Sequence, residues 1–199
     1  TASHAGFARQ EVVDLAEAFI GHCLELGYPI GGSSAVQGES PKVLLSEDTN
    51  GRFYPSGTAP AHRIAREWLV KFPRGRSAID REILRAEAVY YEVARRLGCR
   101  VGAPLACEGD CLFVPRFDVT AQAGKLGRLG LETIASALGK TQFGQAVSLD
   151  EFASAVRAFS TAPKDDLIEL FRRDILNVAL GNTDNHSRNT AFRKGRSEE

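Results

Sequence analysis

An α+β fold in two parts is predicted by three features of the sequence. Strand-like apolar runs and one long amphipathic helix fill the chain up to about residue 118. Helical patterns dominate beyond about residue 120. A polar segment, 182–189, directly follows the last long helix. The 199 residues suffice for one full domain or two small lobes, and for a real core without staples.

Residues 9–27 read as a helix, with Val12, Val13, Leu15, Ala16, Phe19, Ile20, Cys23, Leu24 and Leu26 at helical spacing and Gly27 as its C-cap. The Gly-, Ser- and Pro-rich stretch that follows, up to Lys42, reads as a loop. Residues 42–46 (KVLLS) read as a strand, 47–60 as turn-rich, and 66–73 (REWLVKFP) as a strong strand closed by Pro73. Asp80 is the expected N-cap of a long helix to Leu97, followed by Gly98. Residues 100–107 and 111–118 read as two strands around the turn Glu108-Gly109-Asp110, with Pro115 marking an edge or an end. Residues 134–138 form a short helical piece. Ser148 and Glu151 form a capping box before Phe152, Val156 and Phe159. Residues 165–180 read as a helix ended by Gly181, and 190–193 as the start of a strand. The expected boundary between a first part, 1–118, and a second, 119–199, lies near residues 118–120.

Composition bounds the function. Lys+Arg and Asp+Glu are 25 each, a balance that fits neither a nucleic-acid-coating protein nor a membrane-surface binder. No apolar run approaches the roughly eighteen residues of a membrane span. Cys23, Cys99, Cys107 and Cys111 are scattered, as in a reducing cytoplasm. Cys107 and Cys111 lack the further pair that a zinc site needs. The absence of methionine, even at position 1, and the charged run to Glu199 directly after the most informative motif read as a fragment or a processed chain.

The chemistry-bearing segment is Asn182-Thr183-Asp184-Asn185-His186-Ser187-Arg188-Asn189. Phosphoryl transfer needs an oriented nucleophile and bound metal ions that offset phosphate charge. Asp184 can orient a hydroxyl, Asn189 can reach a Mg²⁺ ion, and His186 can brace the loop. A polar helix-ending turn is the alternative, because Asn, Asp, Ser and Thr favour such turns. Lys71 stands in an apolar strand and needs a charged partner; Glu82, Glu87 and Glu92 on the next helix offer one. The alternative is an edge lysine pointing to solvent. The loop from Gly31 to Lys42 can approach phosphates by its backbone N–H groups, although it lacks Walker A spacing; a plain linker is its alternative. Gly/Ser loop, lysine strand, acidic helix, two strands, helical part and D-x4-N loop follow one another in the order of a two-lobed protein kinase.

On SSAVQGESPKVLL, WLVKFP, AEAVYYEVARRLG, FVPRFD and GNTDNHSRN, covering about residues 30–192, the chain resembles the HipA-like serine/threonine kinases, the toxins of bacterial HipB–HipA toxin–antitoxin systems. The resemblance implies an ATP- and Mg²⁺-dependent kinase with a mixed first lobe and a mainly helical second lobe. Asp184 is then the catalytic aspartate, supported by His186, and Asn189 a magnesium ligand. Lys71 is the ATP-phosphate lysine and Glu87 its helix partner. Val114, Arg116 and Phe117 lie at the adenine, and Ser34, Ala35, Val36, Gln37 and Lys42 line the nucleotide loop. Ser34, or Ser33, is the expected autophosphorylation site. The implied partners are a HipB-like helix-turn-helix antitoxin and a protein substrate, with an aminoacyl-tRNA synthetase as one such target; DNA contact would fall to the antitoxin. Gly38-Glu39-Ser40 interrupts the family's usual loop, and the family's second metal-binding aspartate, expected after Asn189, lies beyond Glu199. Three readings compete: a small-molecule or lipid kinase of the same superfold, a catalytically inactive binding module, and a metal hydrolase using Asp184 and His186.

Overall fold

The computed structural model of the chain describes residues 4–15, 17–28, 40–122, 125–142 and 145–195. It is an α+β protein with two compact units, one comprising Thr1–Glu92 and Gly102–Arg128, the other Val93–Val101 and Leu129–Glu199. In chain order the elements are α1 (Arg9–Val13), α2 (Glu17–Glu25), β1 (Lys42–Asp48), β2 (Phe53–Pro55), β3 (Ile64–Lys71), α3 (Ala78–Arg96), β4 (Ala106–Glu108), β5 (Cys111–Pro115), β6 (Val119–Gln122), β7 (Lys125–Arg128), β8 (Gly130–Thr133), α4 (Ile134–Ala137), α5 (Leu149–Phe159), α6 (Pro163–Ala179) and β9 (Ala191–Lys194).

The first unit is built on a five-stranded antiparallel sheet ordered β2-β1-β3-β5-β4. Side chains alternate between its two faces. Val43 and Leu45 of β1, Trp68 and Val70 of β3 and Phe113 of β5 share one face and join Phe7, Val12, Phe19 and Cys23 in a single core. Phe113 is fully buried and meets Phe53 and Trp68 edge-on, each at 5.9 Å between centroids. The Arg9 guanidinium stacks 4.5 Å from the Phe113 ring and pairs with Glu108 at 3.1 Å, which fastens α1 to the sheet.

The helix expected over 9–27 is two helices. Leu15 adopts φ 49°, a left-handed conformation that ends the first helical segment. Val12 of α1 and Phe19 and Cys23 of α2 enter the same core on either side of this turn. The expected turn-rich stretch 47–60 contains β2. The Asp48 carboxylate accepts the N–H groups of Asn50 and Arg52 at 2.8 and 2.9 Å and closes the hairpin. The strand expected over 100–107 shrinks to β4, because residues 100–105, with Pro104 among them, make no ladder. The helix cap also moves. Ser77 Oγ accepts the Asp80 N–H at 3.1 Å while the Asp80 carboxylate accepts the Ser77 N–H at 3.3 Å. Ser77 is therefore the cap, Asp80 is its reciprocal partner, and α3 starts earlier than expected.

Two-stranded ribbons β6–β7 and β8–β9 were not expected in full. Their strands are only four residues long, and β7 and β8 carry glycine, so no period-two pattern marks β6, β7 or β8; β9 matches the strand start expected over 190–193. In the second unit Ser148 and Glu151 form the expected capping box on α5, at 3.2 Å for the Glu151 N–H and 2.8 Å for the Ser148 N–H. Ile134, Phe152 and Ala155 form its core, with Leu170 and Phe192 packed against them. Glu169 of α6, almost buried, accepts the Arg100 N–H and the Arg173 Nε, which ties the 93–101 segment to α6. Among the described residues no helix is long and apolar enough to cross a membrane.

Candidate functional site

Lys71 closes β3 on the sheet face opposite the aromatic core. Register places Lys42 of β1 directly across from it on one side and Leu112 of β5 on the other. One step back on the same face, Leu44, Leu69 and Val114 lie in a row; a further step back, Ser46 stands opposite Glu67. This face therefore reads cationic, apolar, polar along the strands. Lys71 Nζ meets Glu87 Oε2 of α3 at 2.5 Å, with the two side chains about a quarter and a third exposed. Of the three glutamates that the sequence offered, Glu87 is the partner. The pair leaves the ammonium fixed in direction yet reachable from solvent.

Glu67 was not expected to matter. It is 5% exposed, and its carboxylate accepts the hydroxyls of Ser46 at 2.7 Å and Ser56 at 2.9 Å. A buried carboxylate demands such donors. Nothing in the local sequence announces it, because both serines come from other strands or turns. The Glu67 carbonyl also accepts the Arg116 N–H at 2.9 Å, which extends the β3–β5 ladder by one rung. Antiparallel ladders alternate, so Val114 and Arg116 spend their backbone groups on β3. The Pro115 carbonyl then faces the other side, which β4 leaves uncovered because it begins at Ala106 opposite Phe113, and Phe117 follows in a bend beyond β5.

The Arg116 side chain meets Asp118 in a two-pronged pair, Nε to Oδ1 at 3.0 Å and Nη2 to Oδ2 at 2.5 Å. Those hydrogen bonds hold the Asp118 carboxyl below its usual range and raise Arg116 further. Phe117, between them, is exposed.

Asp184, His186 and Asn189 come together in the second unit as one compact loop. α6 runs to Ala179, and Gly181 takes a left-handed conformation after it. Asn182 is anchored to Asn177 through its backbone N–H and its amide, both at 2.8 Å, and its Oδ1 accepts the Asp184 N–H at 3.0 Å. Asn189 Nδ2 donates to the Asp184 carbonyl at 2.9 Å and to its Oδ2 at 3.1 Å. Its Oδ1 is left without a hydrogen-bond partner among the described residues. His186 Nδ1 accepts the Arg188 N–H at 3.2 Å, so the neutral ring carries its proton on Nε2, which lies 3.5 Å from Asp184 Oδ1. The loop's far end is stitched to the start of α4: Ile134 N–H to the Thr190 carbonyl and Ala135 N–H to the buried Ser187. A pocket of about 270 Å³ lies beside the loop, lined by Asn177, Asn182, Asp184 and Asn189 among others.

The oxygens of Asp184 and Asn189 are hard donors of the kind that Mg²⁺ accepts alongside water and phosphate, so they fit that ion as a partial ligand set. Cys107 and Cys111 stand on opposite faces of the β4–β5 hairpin, since Cys107 pairs with Leu112 and Cys111 with Glu108. Ser33, Ser34, Ala35, Val36 and Gln37 lie outside the described residues; Lys42 opens β1.

A lysine-bearing antiparallel sheet with its glutamate helix, and a compact Asp–Asn loop in the other unit, are the features to be matched against known proteins. Residues 34–199 match the family model described as the HipA-like C-terminal domain, and the chain belongs to that family. No curated protein matches the sequence.

Proposed function

We propose that the chain is the nucleotide-binding and catalytic-loop part of a HipA-type serine/threonine kinase. The observation that carries this reading is the 2.5 Å pair of Lys71 and Glu87 on the sheet face opposite the aromatic core. A lysine fixed in that way is a cation aimed at nucleotide phosphates, which phosphoryl transfer requires. The apolar row Leu44, Leu69 and Val114 would carry the base. The Pro115 carbonyl would take the donor on the edge of adenine. Asp184 would orient the target hydroxyl and accept its proton, with His186 Nε2 steadying the carboxylate. Bound Mg²⁺ would offset charge on the phosphates, and Asn189 Oδ1 would be among the groups that hold it.

The protein substrate, the HipB-like antitoxin partner and autophosphorylation at Ser34 or Ser33 belong to this reading through family membership alone. The test is transfer of labelled phosphate from ATP with Mg²⁺, in wild type and in Asp184→Ala. Removing the aspartate should lower transfer by about 10²-fold or more. Equal labelling by the two would end the reading. Mg·ATP should also raise the melting temperature, and Lys71→Ala should abolish that rise. No nucleotide binding at all would favour a kinase-like binding module.

A further inference from the structure

α3 is nineteen residues long, yet Leu84 is its only buried residue. Ile79, Ile83, Val89 and Tyr90 are all exposed. Ala88, Tyr91, Val93 and Ala94 are half-buried, so apolar contact holds the roll and tilt of the helix only loosely and ionic contacts add to it. Lys71–Glu87 is one such contact. Another lies at the turn between β4 and β5. Asp110 Oδ2 receives Arg81 Nε at 2.7 Å, and Asp110 Oδ1 receives Arg85 Nη2 at 3.4 Å. Arg81 and Arg85 are one helical turn apart, so one carboxylate grips two successive turns of α3.

The turn itself is held hard. Gly109 has φ 56°, and a Cβ there would sit 2.8 Å from a Val13 methyl. Its neighbour Glu108 pairs with Arg9, whose guanidinium lies over the core aromatics. Asp110 is therefore anchored through the turn to the rigid core, while α3 is not. Along the helix Leu84 lies inside the Arg81–Arg85 grip, and Glu87 follows two residues after Arg85. A helix held loosely by apolar contact and gripped at Arg81 and Arg85 has its next turn, with Glu87, steered toward β3.

We propose that Asp110 is a positioning residue: by holding Arg81 and Arg85 it sets the roll of α3 and so brings Glu87 to Lys71. Its meaning for nucleotide binding rests on the kinase reading above, but its effect on the ion pair does not.

Trace acylation of the full chain, read lysine by lysine by mass spectrometry, tests it. Glu87→Gln gives the reactivity of Lys71 without its partner. Asp110→Asn, and separately the Arg81→Gln/Arg85→Gln double variant, should raise Lys71 labelling about two- to fivefold, the range of an exposed ion pair. Labelling of Lys140, paired with Glu151 in the other unit, should stay constant, and Asp110→Glu should restore the wild-type value. Unchanged Lys71 labelling in both neutral variants would overturn the proposal, and so would a rise in every lysine, which marks general loosening. In parallel, the affinity for a fluorescent ATP analogue should fall by a similar factor in Asp110→Asn. If Lys71 labelling rises but neither Asp110→Asn nor Lys71→Ala alters nucleotide binding, the kinase reading fails and the positioning role stands.

Discussion

Glu67, which no local pattern singles out, is among the polar side chains that the structure buries deeply. Glu67 is held by two serine hydroxyls drawn from β1 and from the turn after β2. Glu67→Ala would leave both hydroxyls unpaired over a void. We expect a loss of about 2–4 kcal/mol in urea unfolding, with Glu67→Gln nearer wild type because it keeps volume and an acceptor. The pair Arg116–Asp118 gives a pH signature. The Asp118 carboxyl is held below its usual range, so its contribution is present above the unfolded-state value near pH 4 and fades as pH falls through the folded one. Asp118→Asn should therefore destabilise by about 1–2 kcal/mol at pH 7 and by much less near pH 2. Equal losses at both pH values would contradict the assignment.

Elements divide by how strongly their side chains sort between faces. REWLVKFP was legible because its apolar run is long and ends at a proline, and Lys71 stood out within it for the same reason. The box at Ser148 was legible because capping is local chemistry; Ser148→Ala should cost about 1 kcal/mol, measured by thermal or urea unfolding. At α3 a local rule misled, since Asp80 resembles a cap in sequence but serves as the partner of Ser77. The split between α1 and α2 was hidden because a backbone turn at Leu15 leaves the apolar spacing on either side intact. Strands β6, β7 and β8 were hidden because pairing, not side-chain pattern, defines them, whereas β9 answers the strand start expected over 190–193. The Asp184–Asn189 loop was readable by spacing, but the direction of the Asn189 amide and the proton position of His186 come only from their partners. Leu84→Ala should destabilise by about 2–3 kcal/mol and should strip α3 of its amide-exchange protection before the central strands lose theirs.

For the molecule as a whole, thiol chemistry maps which surfaces are closed. All four cysteines are free, and Cys107 is the exposed one. Burial pushes the Cys23 thiol up to about 11, and burial aided by nearby acids pushes Cys111 up to about 12. Native alkylation at pH 8 should therefore modify Cys107 first by a wide margin, as peptide mapping would show. Comparable rates at Cys111 would mean that the sheet core opens readily.

A helix with one fully buried leucine and several surface ion pairs answers to its solvent in a way that the aromatic core does not. Screening at physiological ionic strength acts over about 8 Å and reaches exposed pairs such as Arg81–Asp110, while apolar burial is indifferent to it. Dissolved salt is thus an input to this fold: as ionic strength rises the grip on α3 slackens around a fixed pivot at Leu84, and the reach of Glu87 toward Lys71 becomes a property of the medium as well as of the chain.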